Sequence, residues 1–116
     1  MQSGQKFEIA RKLYALGVTD DLRSRKLSFI DLSSLRLREL EILSTQPVPI
    51  GSIVTIVNKE PKRARAYFIF SYPVRYIVQT DSIDAPAGIP VLISLGSGNE
   101  GKSTPLNPLI FKLLLS

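Results

Sequence analysis

"AYFIFSYPVRYIVQ", residues 66–79, decides the fold class. Its even positions, Phe68, Phe70, Tyr72, Val74, Tyr76 and Val78, are all apolar. Side chains of a strand alternate between two faces, so the pattern predicts a β-strand with one face in the core. The other face carries Ser71, Pro73, Arg75 and Gln79 and is expected to be at least partly wet. Pro73 has no N–H for a ladder, so a bulge, a bend or a sheet edge is expected there.

The flanks repeat the theme. "LSFIDLS" (27–33) and "LRLRELEIL" (35–43) alternate with a period near two, and "SIVTIVN" (52–58) is a short β-branched run. All three read as strands. "IPVLISL" (89–95) reads as another. "TDDLRSRK" (19–26), "TQPVPIG" (45–51) and "TDSIDAPAG" (80–88) read as turns or loops, and "KEPKRAR" (59–65) as a polar hairpin tip. The first segment differs. Phe7, Ala10, Leu13 and Tyr14 fall on one face of a 3.6-residue period, with Ser3 placed as an N-cap and Gly17 as a C-terminal glycine. That spacing predicts a helix over 1–17. "PLNPLIFKLLLS" (105–116) suits a short helix or a strand. The expected architecture is therefore a single mainly β domain. A helix over 1–17 precedes a small antiparallel β-barrel over 26–95, and a glycine-rich loop and apolar segment occupy 96–116.

The chain of 116 residues holds 44% hydrophobic and 22% charged residues, the balance of a folded domain. It has no cysteine and no histidine. Disulfides, thiol nucleophiles, Cys/His zinc sites and imidazole acid–base chemistry are thereby excluded. No stretch approaches the about 20 apolar residues of a membrane span, and the first residues lack the apolar core of a signal peptide. A cytoplasmic protein is expected. The net charge of +5 suits an anionic partner, whether nucleic acid, nucleotide or acidic protein.

"GSGNEGKST" (96–104) matches a P-loop at every defined position, with Gly96, Gly101, Lys102 and Ser103. The motif needs a helix after it, whose first amides cradle phosphate. Pro108 would fall in the second turn of that helix and break it, at about 3 kcal/mol. Thirteen residues after Ser103 also leave no room for the strand that carries a magnesium-linked aspartate. The stretch reads as a surface loop. No Ser/Lys or paired-carboxylate constellation stands out elsewhere, so no enzymatic activity and no cofactor are expected.

"DLSSLR" (31–36) sets Asp31 and Ser33 in a [DN]-x-S-x-x-G register, with Arg36 at the glycine position. "PVPIGSIVTI" (47–56), "YPVRYIV" (72–78) and "AGIPVLIS" (87–94) follow in order. From residue 27 to 95 this succession resembles a PilZ domain, the six-stranded barrel of bacterial cyclic di-GMP receptors. The resemblance implies a ligand surface at Arg23, Arg25, Asp31, Ser33 and Arg36. The family's R-x-x-x-R pair has no counterpart, since no two arginines here are four apart. Arg23 and Arg25 lie upstream of the motif at a different spacing. The resemblance thus implies a degenerate member that binds cyclic di-GMP weakly or not at all and acts as an adaptor through protein contacts. Asp31 and Ser33 also fit a plainer role, shaping a turn by bonds to nearby backbone.

Lys59, Lys62, Arg63 and Arg65 form a separate basic patch on the expected hairpin tip. Such a patch suits phosphate contacts, or a soluble tip that guards a sheet edge. Two further functions remain open on the residues alone. One is a small basic nucleic-acid-binding barrel, the other a virus-encoded or assembly subunit whose strands self-associate into a homo-oligomer. If residues 96–104 are only a loop, Lys102→Ala leaves thermal stability unchanged, and neither protein binds ATP or GTP with magnesium. Equilibrium dialysis checks this.

Overall fold

The computed structural model describes residues 3–34, 40–59, 75–94, 106 and 108–114. They form eight strands: β1 (Lys6–Ile9), β2 (Leu13–Val18), β3 (Phe29–Ser33), β4 (Ile42–Val48), β5 (Ile53–Lys59), β6 (Arg75–Gln79), β7 (Val91–Ser94) and β8 (Phe111–Leu114). All belong to one sheet, in the order β4-β2-β3-β7-β6-β5-β1-β8. Every neighbouring pair is antiparallel except β3 with β7.

One register runs through two of these pairings. Glu8 opposes Ile53 in β1–β5, and Leu13 opposes Val48 in β2–β4. Both chains therefore advance by the same number of residues between the two ladders. The bonds continue into the gap: the Ile9 N–H donates to the Ser52 carbonyl at 2.9 Å, and the Gly51 N–H donates to the Ile9 carbonyl at 2.7 Å. Yet β2 and β4 lie at one end of the sheet and β5 and β1 near the other. The four strands are thus one long ribbon, bent at residues 10–12 and 49–51. Gly51 sits in that bend at φ +93°, where only glycine is at ease.

The bend forces the sheet to curl. Phe7, Leu13, Ile30, Val48, Val54, Val78, Val91 and Phe111, one from each strand, join a single buried cluster. In a flat sheet eight strands would spread over more than about 30 Å. Here Val48 of β4 and Phe111 of β8, the two end strands, share one core, and Phe111 also meets Phe7 of its neighbour β1 edge to face, their ring centres 6.5 Å apart. Among the described residues the curl does not close into a barrel, and β4 and β8 are the end strands. The architecture is mainly β as expected, but it is an open curled sheet in place of a six-stranded antiparallel barrel, and it contains one parallel pair.

The helix expected over 1–17 is replaced by β1 and β2. The physical cause is burial on both faces of β2. Leu13 and Ala15 enter the inner cluster, while Leu16 and Val18 enter a second cluster on the opposite face. A doubly buried strand loses its polar alternation and cannot be told from a helix by period. Gly17 is not a cap. It lies inside β2, where a Cβ would collide with the Ser44 hydroxyl and press on Leu27. Thr45–Val48, expected in a loop, finish β4 instead, because an end strand tolerates Pro47. Leu40 and Glu41, expected in a strand, form a turn before β4. The ambiguous last segment contains strand β8.

The second cluster comprises Leu16, Val18, Phe29 and Leu92, with Tyr14, Ile42 and Ile77 packed against it. It corrects the expectation for the odd face of residues 66–79. Gln79 is exposed, but Ile77 is half-buried and Arg75 is only 3% exposed. Ser71 and Pro73 lie outside the described residues. Because the sheet is covered on both sides at β7, Leu92→Ala and Ile93→Ala should each cost about 2–5 kcal/mol. Urea unfolding of the two variants checks this, and a negligible loss for Leu92→Ala would mean that only the inner face is a core.

Candidate functional site

Two groups of side chains carry chemistry on the described surface. The first is the loop from β2 to β3. Thr19, fully buried, anchors it. Its N–H donates to the Glu41 carbonyl at 2.9 Å, and its hydroxyl accepts from the Asp21 N–H at 3.1 Å. The Asp20 N–H donates across the loop to the Ser28 hydroxyl at 2.9 Å. Asp21 then organises the tip: its Oδ1 accepts from the Arg23 N–H at 3.0 Å and its carbonyl from the Arg25 N–H at 2.9 Å. This is the carboxylate turn that aspartate favours. It holds Arg25 at φ +50°, a conformation that costs a residue with a Cβ energy and persists only when its surroundings impose it. The result is a braced loop that exposes Arg23, Arg25 and Lys26 to solvent, beside a Leu22 that is 41% exposed.

The second group lies on the outer face of β3, β7 and β6. Asp31 opposes Leu92, and Leu92 opposes Ile77. Two residues along each strand place Phe29 and Ser33 on the face of Asp31, and Arg75 on the face of Ile77. The Arg75 guanidinium carbon stands 4.6 Å from the centre of the Phe29 ring. Asp31 and Ser33 are half-buried on this face, and Oδ1 of Asp31 and Nη2 of Arg75 are both shut off from solvent. A carboxylate on the same face favours the buried cation, and the Phe29 ring offers it a negative π surface. A guanidinium is a fixed charge and a fork of donors rather than a proton carrier.

The expected ligand residues are thus distributed along one strand and the loop before it, in unlike environments. Arg23 and Arg25 are exposed ahead of β3, whereas Asp31 and Ser33 are half-buried within it. Arg36 lies outside the described residues. So do Lys62, Arg63 and Arg65 of the basic patch and the glycine-rich stretch 96–104. Lys59 ends β5, exposed and opposite Tyr76, so residues 60–74 connect two neighbouring antiparallel strands. The alternation puts Arg75 on a face expected to be at least partly wet, which holds for Gln79 but not for Arg75. The available signal was an arginine between apolar residues on both sides, in "PVRYIV".

Among the described residues no cluster of three or more acidic side chains could hold a metal, and no helix is long and apolar enough to cross a membrane. No family model, curated protein or solved structure matches the chain.

The stacked pair is expected to be energetically coupled. A double-mutant cycle with Arg75→Met and Phe29→Leu, followed by urea unfolding, should give a coupling of about 1–2 kcal/mol. A coupling near zero would mean that other groups hold the guanidinium and the ring is incidental.

Proposed function

We propose that the chain is a non-enzymatic binding module that works in the cytoplasm by docking its Leu22–Lys26 loop on an acidic protein surface. The observation that carries the reading is the bracing of this loop. Its exposed cations and one exposed leucine are held by backbone bonds to Asp21 and by the buried Thr19. Preorganisation lowers the entropy lost on association, and it makes a loop an effective recognition element. Arginine suits the role, because its planar fork matches carboxylates. Read as a degenerate PilZ relative, the chain binds cyclic di-GMP weakly or not at all. The arginines and the Asp31–Ser33 motif differ in exposure, and the R-x-x-x-R pair is missing.

The test is charge reversal. Arg23→Glu with Arg25→Glu should leave the melting temperature unchanged, since both side chains are exposed. It should weaken retention of a crosslinked, mass-spectrometrically identified partner by more than about tenfold, because like charges would then face each other. Calorimetry with cyclic di-GMP should show no saturable complex in the micromolar range, and a tight one would overturn this reading. Salt-steep binding to DNA or RNA that disappears in the same variant would reassign the loop to nucleic acid.

A further inference from the structure

We propose that the turns at the bend of the ribbon form a contact site for an anionic membrane surface. Three segments meet there: residues 10–12 between β1 and β2, residues 49–52 between β4 and β5, and residues 108–110 before β8. Backbone bonds fix them side by side. The Gly51 N–H donates to the Ile9 carbonyl at 2.7 Å, and the Ala10 N–H donates to the Ile110 carbonyl at 2.8 Å. The Ser52 N–H closes its own turn on the Pro49 carbonyl at 3.1 Å.

This end of the molecule exposes side chains that folding ordinarily buries. Ile50 is 68% exposed and Leu109 is 60% exposed. Ala10, Pro49 and Pro108 are exposed beside them, and so are Arg11 and Lys12. No Asp or Glu occurs in residues 9–13, 48–53 or 108–114. The next acid in sequence, Glu8, stands opposite Lys112 in the β1–β8 ladder. The surface is therefore apolar and cationic together, with no acid among its own residues.

That pairing of properties selects the occupant. The apolar side chains sit on separate turns, not along a strand face. Two protruding aliphatics fall far short of the about 800 Å² per partner that a stable protein interface buries. A bilayer surface demands less. Aliphatic side chains enter the boundary between headgroups and acyl chains, while lysine and arginine are drawn to anionic lipid. The net charge of +5 adds a general attraction to such a surface. The site is distinct from the Leu22–Lys26 loop, so the two assignments stand or fall separately.

Cosedimentation tests it, with vesicles of phosphatidylcholine and vesicles of phosphatidylcholine mixed with phosphatidylserine. The protein should bind the mixed vesicles and be released by high salt. Ile50→Ser with Leu109→Ser, and separately Arg11→Ser with Lys12→Ser, should each weaken binding by at least roughly tenfold. Both variants should keep the parent melting temperature, because all four side chains are exposed. Failure of the parent protein to bind mixed vesicles overturns the proposal. So does undiminished binding by the aliphatic variant. A lipid-free dimer seen in sedimentation and abolished by that variant also overturns it, and gives the surface to a second copy of the chain.

Discussion

The shared register of β1–β5 and β2–β4 is the constraint on which the rest of the molecule depends. Once Glu8 is set against Ile53, Leu13 is committed to Val48. The ribbon cannot run straight, because its halves border opposite ends of one sheet. Its bend brings those ends round the inner cluster, and all eight strands can then share one core. Gly51 supplies the backbone conformation that the corner requires. A single register slip would turn Phe7, Ile9, Leu13 and Ala15 from the core toward the other face. The inner cluster therefore both depends on the register and enforces it.

The outer face is a consequence of the same curl. A sheet that wraps one core leaves its middle strands with a second face, and in β2, β3, β7 and β6 that face is apolar too. The polar residues on it include Asp31 and Ser33 of β3 and Arg75 of β6, and of these Arg75 is the most deeply buried. Burying a cation costs free energy unless partners compensate it. The Phe29 ring beneath the guanidinium and the Asp31 carboxylate on the same face are placed to do so. The Asp31 and Ser33 of the motif that suggested a ligand surface thus share a half-buried face with this cation.

How much of this was legible in the sequence follows from burial. β3, β5 and β7 could be read directly, since β-branched and aromatic residues bounded by turn signals mark them. β1 and β2 could not. The residues Phe7, Ala10, Leu13 and Tyr14 satisfy a helical period by coincidence, and the two-sided burial of β2 hides the period of two. Pro47 masked the end of β4, because its tolerance depends on β4 being an end strand, and sheet order is not written in a local window. The charged loop was legible as a loop. Its bracing was not, since it rests on contacts of Thr19 with Glu41 and of Asp20 with Ser28. The burial of Arg75 depends on Phe29, a residue far away in the chain.

The position of β1 bears on how the chain reaches this structure. β1 is flanked by β5 and β8, so Lys6 faces Thr55 on one side and Leu114 on the other. The parallel pairing of Ile30 with Val91 is equally remote in sequence. Such contacts close long loops before they return any stabilisation, and folding slows accordingly. The hairpin of β2 and β3 and that of β6 and β7 join neighbours along the chain and are available early. β1 precedes both of its partners in the chain and is therefore among the last strands to be enclosed. Its Phe7 and Ile9 stay uncovered on a growing chain until β5 and then β8 have been made, and apolar surface left open for that long invites contact with other chains.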